Sequence, residues 1–103
     1  MEVTQPTSKS TAVTATERRG RIIMHDASLA AGATIAFRVN LSGVSFPSTD
    51  IVVVQSASSG HTAAANRNVT DTSFDVAVTN YTAGALAVAA VINYRILAGG
   101  TNP

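Results

Sequence analysis

Cysteine is absent from the 103 residues, and so is tryptophan. The first absence excludes disulfide staples, thiolate nucleophiles, thiolate zinc sites and iron–sulfur clusters. Charge is scarce as well: 13% of the residues are charged, against about a quarter in an ordinary soluble domain. Lys9 is the single lysine, and seven basic residues against six acidic ones leave a net charge of +1. Nucleic-acid binding needs Lys and Arg clustered along one surface, so this balance excludes a phosphate-backbone footprint. No apolar run approaches the roughly 18 residues of a membrane helix; the longest, residues 83–92, is interrupted by Gly84. Residues 1–16 lack both the basic start and the apolar run of a secretory signal, so export is expected only by lysis or within a particle.

Apolar residues make up 46% of the chain, but 18 of them are alanines and aromatics reach only 5%. Alanine buries little area, and a single domain of this size with few large side chains is in the range where partner copies supply missing burial. Thirteen threonines and ten serines point to a surface built from hydroxyls.

The pattern is that of strands. Residues 34–40 place Ile35, Phe37 and Val39 on one face, and residues 73–79 do the same with Phe74, Val76 and Val78. Residues 21–25 form a further candidate strand and residues 62–70 a weaker one. Two runs, 51–54 and 87–97, are apolar on both faces, which requires cover on both sides and suggests another subunit. Turn residues separate the runs at Ala31–Gly32, Ser42–Gly43 through Pro47, Ser58–Ser59–Gly60, Asn80 to Gly84 and Gly99–Gly100. The expected fold is all-β: one small β-sandwich or jelly-roll-like barrel of about seven or eight antiparallel strands. It would span residues 17–100, with an extended N-terminal arm over 1–16, in which Ala12–Val13–Thr14 can pair at a sheet edge, and a short tail over 101–103.

Motifs for catalysis are missing. His25 and Asp26 are adjacent and point to opposite faces of a strand, and His61 follows Gly60 in a turn with no acid nearby. Neither histidine has the face-matched partner a zinc site needs, and both read as surface or turn residues. There is no Gly-x-Ser-x-Gly elbow, no phosphate-cradling glycine loop, and the six acids, Glu2, Glu17, Asp26, Asp50, Asp71 and Asp75, are dispersed. Asn40, Asn68 and Asn80 begin sequons that read as turn residues. No enzyme activity, metal or cofactor is expected.

The residues 3–14, Val-Thr-Gln-Pro-Thr-Ser-Lys-Ser-Thr-Ala-Val-Thr, followed by Gly20-Arg21-Ile22-Ile23-Met24, carry a resemblance. So does the closing segment, Val78-Thr79-Asn80-Tyr81-Thr82-Ala83-Gly84 and then Ala90 to Leu97. The chain resembles small all-β virion proteins of tailed bacteriophages, a group that includes capsid decoration (cement), head-fibre and tail-fibre-associated modules. The match covers most of the chain and is loose over 56–71. It implies a homotrimeric β-structure on the virion exterior, made in the bacterial host cytoplasm, without catalysis. The segment Arg18-Arg19-Gly20-Arg21 departs from the pattern.

From this follows an expectation of function: a decoration protein that binds across subunits of the major capsid protein, with itself as its other partner and no nucleic acid or membrane. The candidate interface is the arm, through Val3, Thr4, Thr7, Lys9, Thr11 and Val13, together with Arg18, Arg19 and Arg21, whose planar forks suit acidic partners. The alternative is a receptor- or glycan-binding module of a tail or head fibre, which needs an exposed aromatic. Tyr81, in a turn, is the candidate; Phe46 is weaker, and Tyr94 reads as core.

Overall fold

The computed structural model describes residues 1–44, 51–66 and 72–97. The expected loop end at Phe46 and Pro47, Asp50, the Asn68 sequon, Asp71, the Gly99–Gly100 turn and the tail lie outside them. The described chain is all-β, with no helix. It folds as β1 (Glu2–Thr4), β2 (Val13–Ala15), β3 (Arg19–Ile23), β4 (Thr34–Leu41), β5 (Ile51–Ser56), β6 (His61–Asn66), β7 (Ser73–Asn80) and β8 (Val91–Leu97). Two four-stranded sheets result, ordered β1-β3-β8-β5 (sheet A) and β2-β4-β7-β6 (sheet B). They share one hydrophobic core, which gives a sandwich-like arrangement. Only the β6–β7 connection stays within a sheet; every other one crosses from one sheet to the other.

The two-residue period selects what is buried. β4 turns Phe37, Val39 and Leu41 inward, and β7 turns Phe74, Val76 and Val78 inward. From sheet A, Ile22, Ile92, Tyr94 and Ile96 meet them. Burying each of the larger side chains contributes about 1.5–3 kcal/mol. The Phe74 and Tyr94 rings pack tilted, with centroids 5.8 Å apart.

One end of the sandwich is held by Asn80, which is fully buried. Its Nδ2 donates to the carbonyls of Leu29 and Gly84, each at 2.9 Å, and its Oδ1 accepts from the Thr82 N–H and hydroxyl. Every polar atom of the side chain is satisfied, so the β3–β4 and β7–β8 loops are tied together beneath the Leu29–Leu86 bridge. Gly60 completes this end in a left-handed conformation (φ 85°). A β-carbon there would lie 2.7 Å from Leu86 Cδ1, the end of a flexible side chain, so it is the backbone angle that calls for glycine.

Three expectations are corrected. The strands are not all antiparallel: β1 pairs parallel with β3, and β2 parallel with β4. The expected edge pairing around Ala12–Val13–Thr14 falls on β2, and residues 1–16 are built into the sheets more fully than an arm outside the domain. They supply the edge strand of each sheet, with Val13 and Ala15 in the core. The loop between them is fastened by Gln5, whose Nε2 donates to the carbonyls of Lys9 and Thr11 and whose Oε1 accepts from the His25 N–H. Finally, β8 is not apolar on both faces. Ile92, Tyr94 and Ile96 are buried while Asn93, Arg95 and Leu97 are exposed. In β5, Val52 is buried and Val53 is 43% exposed, so that strand does show apolar side chains on both faces.

Candidate functional site

Among the described residues, opposed charges pair with opposite sign on both sheets, Glu2 with Arg21 on sheet A and Arg38 with Asp75 on sheet B, with one exception on sheet A. On sheet B, Arg38 stands directly across from Asp75 and its Nε meets Oδ1 at 3.1 Å. Thr34 and Thr79, also opposite each other, share a hydroxyl hydrogen bond of 2.7 Å. On sheet A, the residue directly across from Arg19 is Arg95. Like charges so placed destabilise a sheet, because opposed β-carbons are only about 4.5–5.5 Å apart. The described carboxylates are engaged elsewhere: Glu2 with Arg21 at 3.6 Å, Glu17 with the Met1 ammonium at 3.6 Å, Asp26 with His25 and Asp75 with Arg38. Among the described residues, no acid pairs with Arg19 or Arg95.

These arginines line a groove of about 660 Å³. Arg19, Arg21 and Arg95 supply the positive charge, Asn93 and Gln55 the amides between them, and Val53 and Leu97 an apolar wall. Met1, Gly20 and Tyr94 also line the groove, and the space a side chain at Gly20 would take is filled by Met1 and the Tyr94 ring. A β-carbon at Gly20 would fall 2.8 Å from the Met1 carbonyl oxygen, which accepts the Arg21 N–H at 2.9 Å. The Tyr94 hydroxyl donates to the Glu17 carbonyl at 2.8 Å, and burial, reinforced by the charge of Glu17, pushes its phenol up to about 12.

No family model, curated protein or solved structure matches the chain.

The expected interface residues separate into two groups. Arg19 and Arg21 come together in the groove, and Arg18 is part-buried outside its lining. In residues 1–16, Val13 is core, Val3 packs against the core and Thr11 is part-buried, leaving Thr4 and Thr7 exposed. Lys9 is buried, contrary to its expected place in a docking arm. Its ammonium donates to the carbonyls of His25 and Val88. Burial lowers its pKa from the ordinary lysine value, partly offset by Asp26. Tyr81 is 63% exposed in the β7–β8 loop, and Tyr94 is core.

His61 is also not a surface residue. It is buried, with Nδ1 near the Ser59 carbonyl at 3.2 Å and Nε2 without a partner. Among the described residues, no group of three or more His, Asp or Glu comes together in metal-binding geometry. Sequence reasoning missed Arg95. The signal was present, since Asn93 and Arg95 fall two apart among apolar neighbours and so define the outer face of β8.

Proposed function

We propose that the chain is a structural, non-catalytic virion protein, a capsid decoration module that binds the assembled phage head across subunits of the major capsid protein. The observation that carries this reading is the place of the resembling residues in the fold. The phrase over 3–14 supplies edge strands to both sheets, Gly20 to Met24 runs through β3, and Ala90 to Leu97 runs through β8. The resemblance thus falls on the framework of the sandwich rather than on one loop. The groove side of sheet A, with two arginines that no acid among the described residues pairs, is the docking face. A ligand that binds the lattice and not its separated subunits stabilises the lattice by mass action.

The active form in this proposal is a homotrimer on the virion exterior. Its support is the small supply of large core side chains and the exposed Val88 in an uncharged, alanine-rich loop. Sedimentation equilibrium at micromolar concentration tests it: a mass three times that of the chain is expected, and a well-folded monomer contradicts it. A second reading, receptor or glycan binding on a fibre, is favoured by one observation, the exposed Tyr81 ring at a loop. Electron microscopy of virions with and without the protein separates the two. Extra density across the shell supports decoration, and density confined to the tail or to fibres supports the alternative.

A further inference from the structure

We propose that the Arg19–Arg95 pair is a carboxylate clamp, and that its occupant is an acidic side chain of the partner protein carried on an extended segment lying in the groove. The inference rests on the decoration reading only for the source of that partner.

Among the described residues, Arg19 and Arg95 are the exception among opposed charges in the two sheets. The same cross-strand geometry that joins Arg38 to Asp75 on sheet B sets two guanidinium groups opposite each other on sheet A, with no described acid paired to either. A surface position need not carry charge: Thr4, Thr14, Thr34, Ala36, Thr62 and Ala64 fill exposed strand positions of this chain without it. Two like charges in register are a cost that a single anion between them removes. Guanidinium forks from opposite sides can each donate two parallel hydrogen bonds to a carboxylate, which is the geometry arginine meets best.

The surroundings select the kind of anion. Beyond the pair, Asn93 and Gln55 offer amide donors and acceptors along the strand direction, suited to a peptide backbone. Val53 and Leu97, 43% and 40% exposed, give an apolar wall for neighbouring side chains of that segment. A polyphosphate or nucleic-acid backbone would want a continuous line of positive charge. Here Arg21 is already engaged by Glu2, so the unneutralised charge is confined to one cross-strand pair. A free phosphate would use the arginines and leave the amides and the apolar wall without a role.

The test uses the full chain and a hexaglutamate peptide at low salt, followed by NMR of the arginine Nε–H groups and the backbone amides. Saturable shifts at Arg19, Arg95, Gly20 and Asn93 are expected. Arg19→Gln and Arg95→Gln should each weaken binding at least about fivefold, and the double variant should be little worse than either, because the two act on one carboxylate. Arg38→Gln should change nothing. Affinity should fall as sodium chloride is raised. Both variants should melt at or above the parent temperature, since each removes a repulsion, so lost binding will not reflect unfolding. No shift at millimolar peptide, equal shifts around Arg38, or tighter binding of inorganic phosphate than of peptide would each overturn the clamp. Co-sedimentation with phage heads keeps the two proposals distinct. Heads bound equally by the parent and by Arg95→Gln remove the clamp and leave decoration standing; peptide binding without head binding does the reverse.

Discussion

The Gln5 side chain accepts the His25 backbone N–H at 3.0 Å, across twenty residues of sequence, and its amide nitrogen holds the carbonyls of Lys9 and Thr11. One buried glutamine therefore fastens the first loop of the chain to the end of β3. Two edge strands and a satisfied polar cluster make the N-terminal segment part of the folding unit.

Loss of that cluster is expected to unfold rather than to detach. Gln5→Ala leaves the His25 N–H and two carbonyls without their partner, at about 1–3 kcal/mol for a buried unsatisfied group. A melting temperature lower by roughly 10 °C or more is expected for a domain of this size. Deletion of residues 1–16 removes β1 and β2 and should abolish cooperative thermal unfolding by circular dichroism. A truncated chain that melts cooperatively near the parent temperature contradicts this.

That outcome marks where the sequence was legible and where it was not. β4 and β7 show a strict period of two with large residues, so their inward faces were readable from Ile35 to Val39 and from Phe74 to Val78. The three-residue strands β1 and β2 are too short for a period to show; edge pairing was readable at Ala12–Val13–Thr14, but the burial of Val13 and Ala15 and the strand β1 were not. Lys9 and Gln5 are buried by hydrogen bonds to carbonyls far along the chain, a relation no local pattern encodes. The groove was half visible. Arg19 and Arg21 stood out as a cluster, whereas Arg95 joins them only through the β3–β8 register.

Asn80 offers a sharper substitution. Asn80→Asp keeps the shape but aims a carboxylate oxygen at the carbonyls of Leu29 and Gly84, replacing two hydrogen bonds with repulsion. A buried charge left unpaired costs about 3–5 kcal/mol, so urea unfolding at neutral pH should show a loss of that order. Acidification should recover part of it, because a protonated carboxyl regains one donor. An Asn80→Asp chain as stable as the parent at pH 7 contradicts the account of this end of the sandwich. The same burial excludes glycan attachment at this sequon in the folded chain.

Alkaline pH should act through Tyr94. Its phenol titrates at about 12, raised from 10.0 by burial first and by the charge of Glu17 second. In the unfolded chain ionisation begins near the ordinary tyrosine value of about 10, so the unfolded state loses the proton first. The stability held in the neutral phenol is complete below that value and disappears as pH rises through about 12. In a Tyr81→Phe background, phenolate absorbance reports Tyr94 alone and should rise near the higher value. Tyr94→Phe should remove this part of the alkaline loss, at a cost of about 1 kcal/mol at neutral pH for the hydrogen bond to Glu17.

The proposed cementing of an assembled shell is tested most directly by calorimetry of the shell. Phage heads stripped of the protein are scanned alone and with increasing concentrations of the purified chain. A ligand present at a hundred times its dissociation constant stabilises each site by about 2.7 kcal/mol, and the effect grows with the logarithm of concentration. The account predicts that the temperature of shell disassembly climbs in that way with the parent chain, and less with Arg95→Gln. A disassembly temperature indifferent to saturating protein would contradict it.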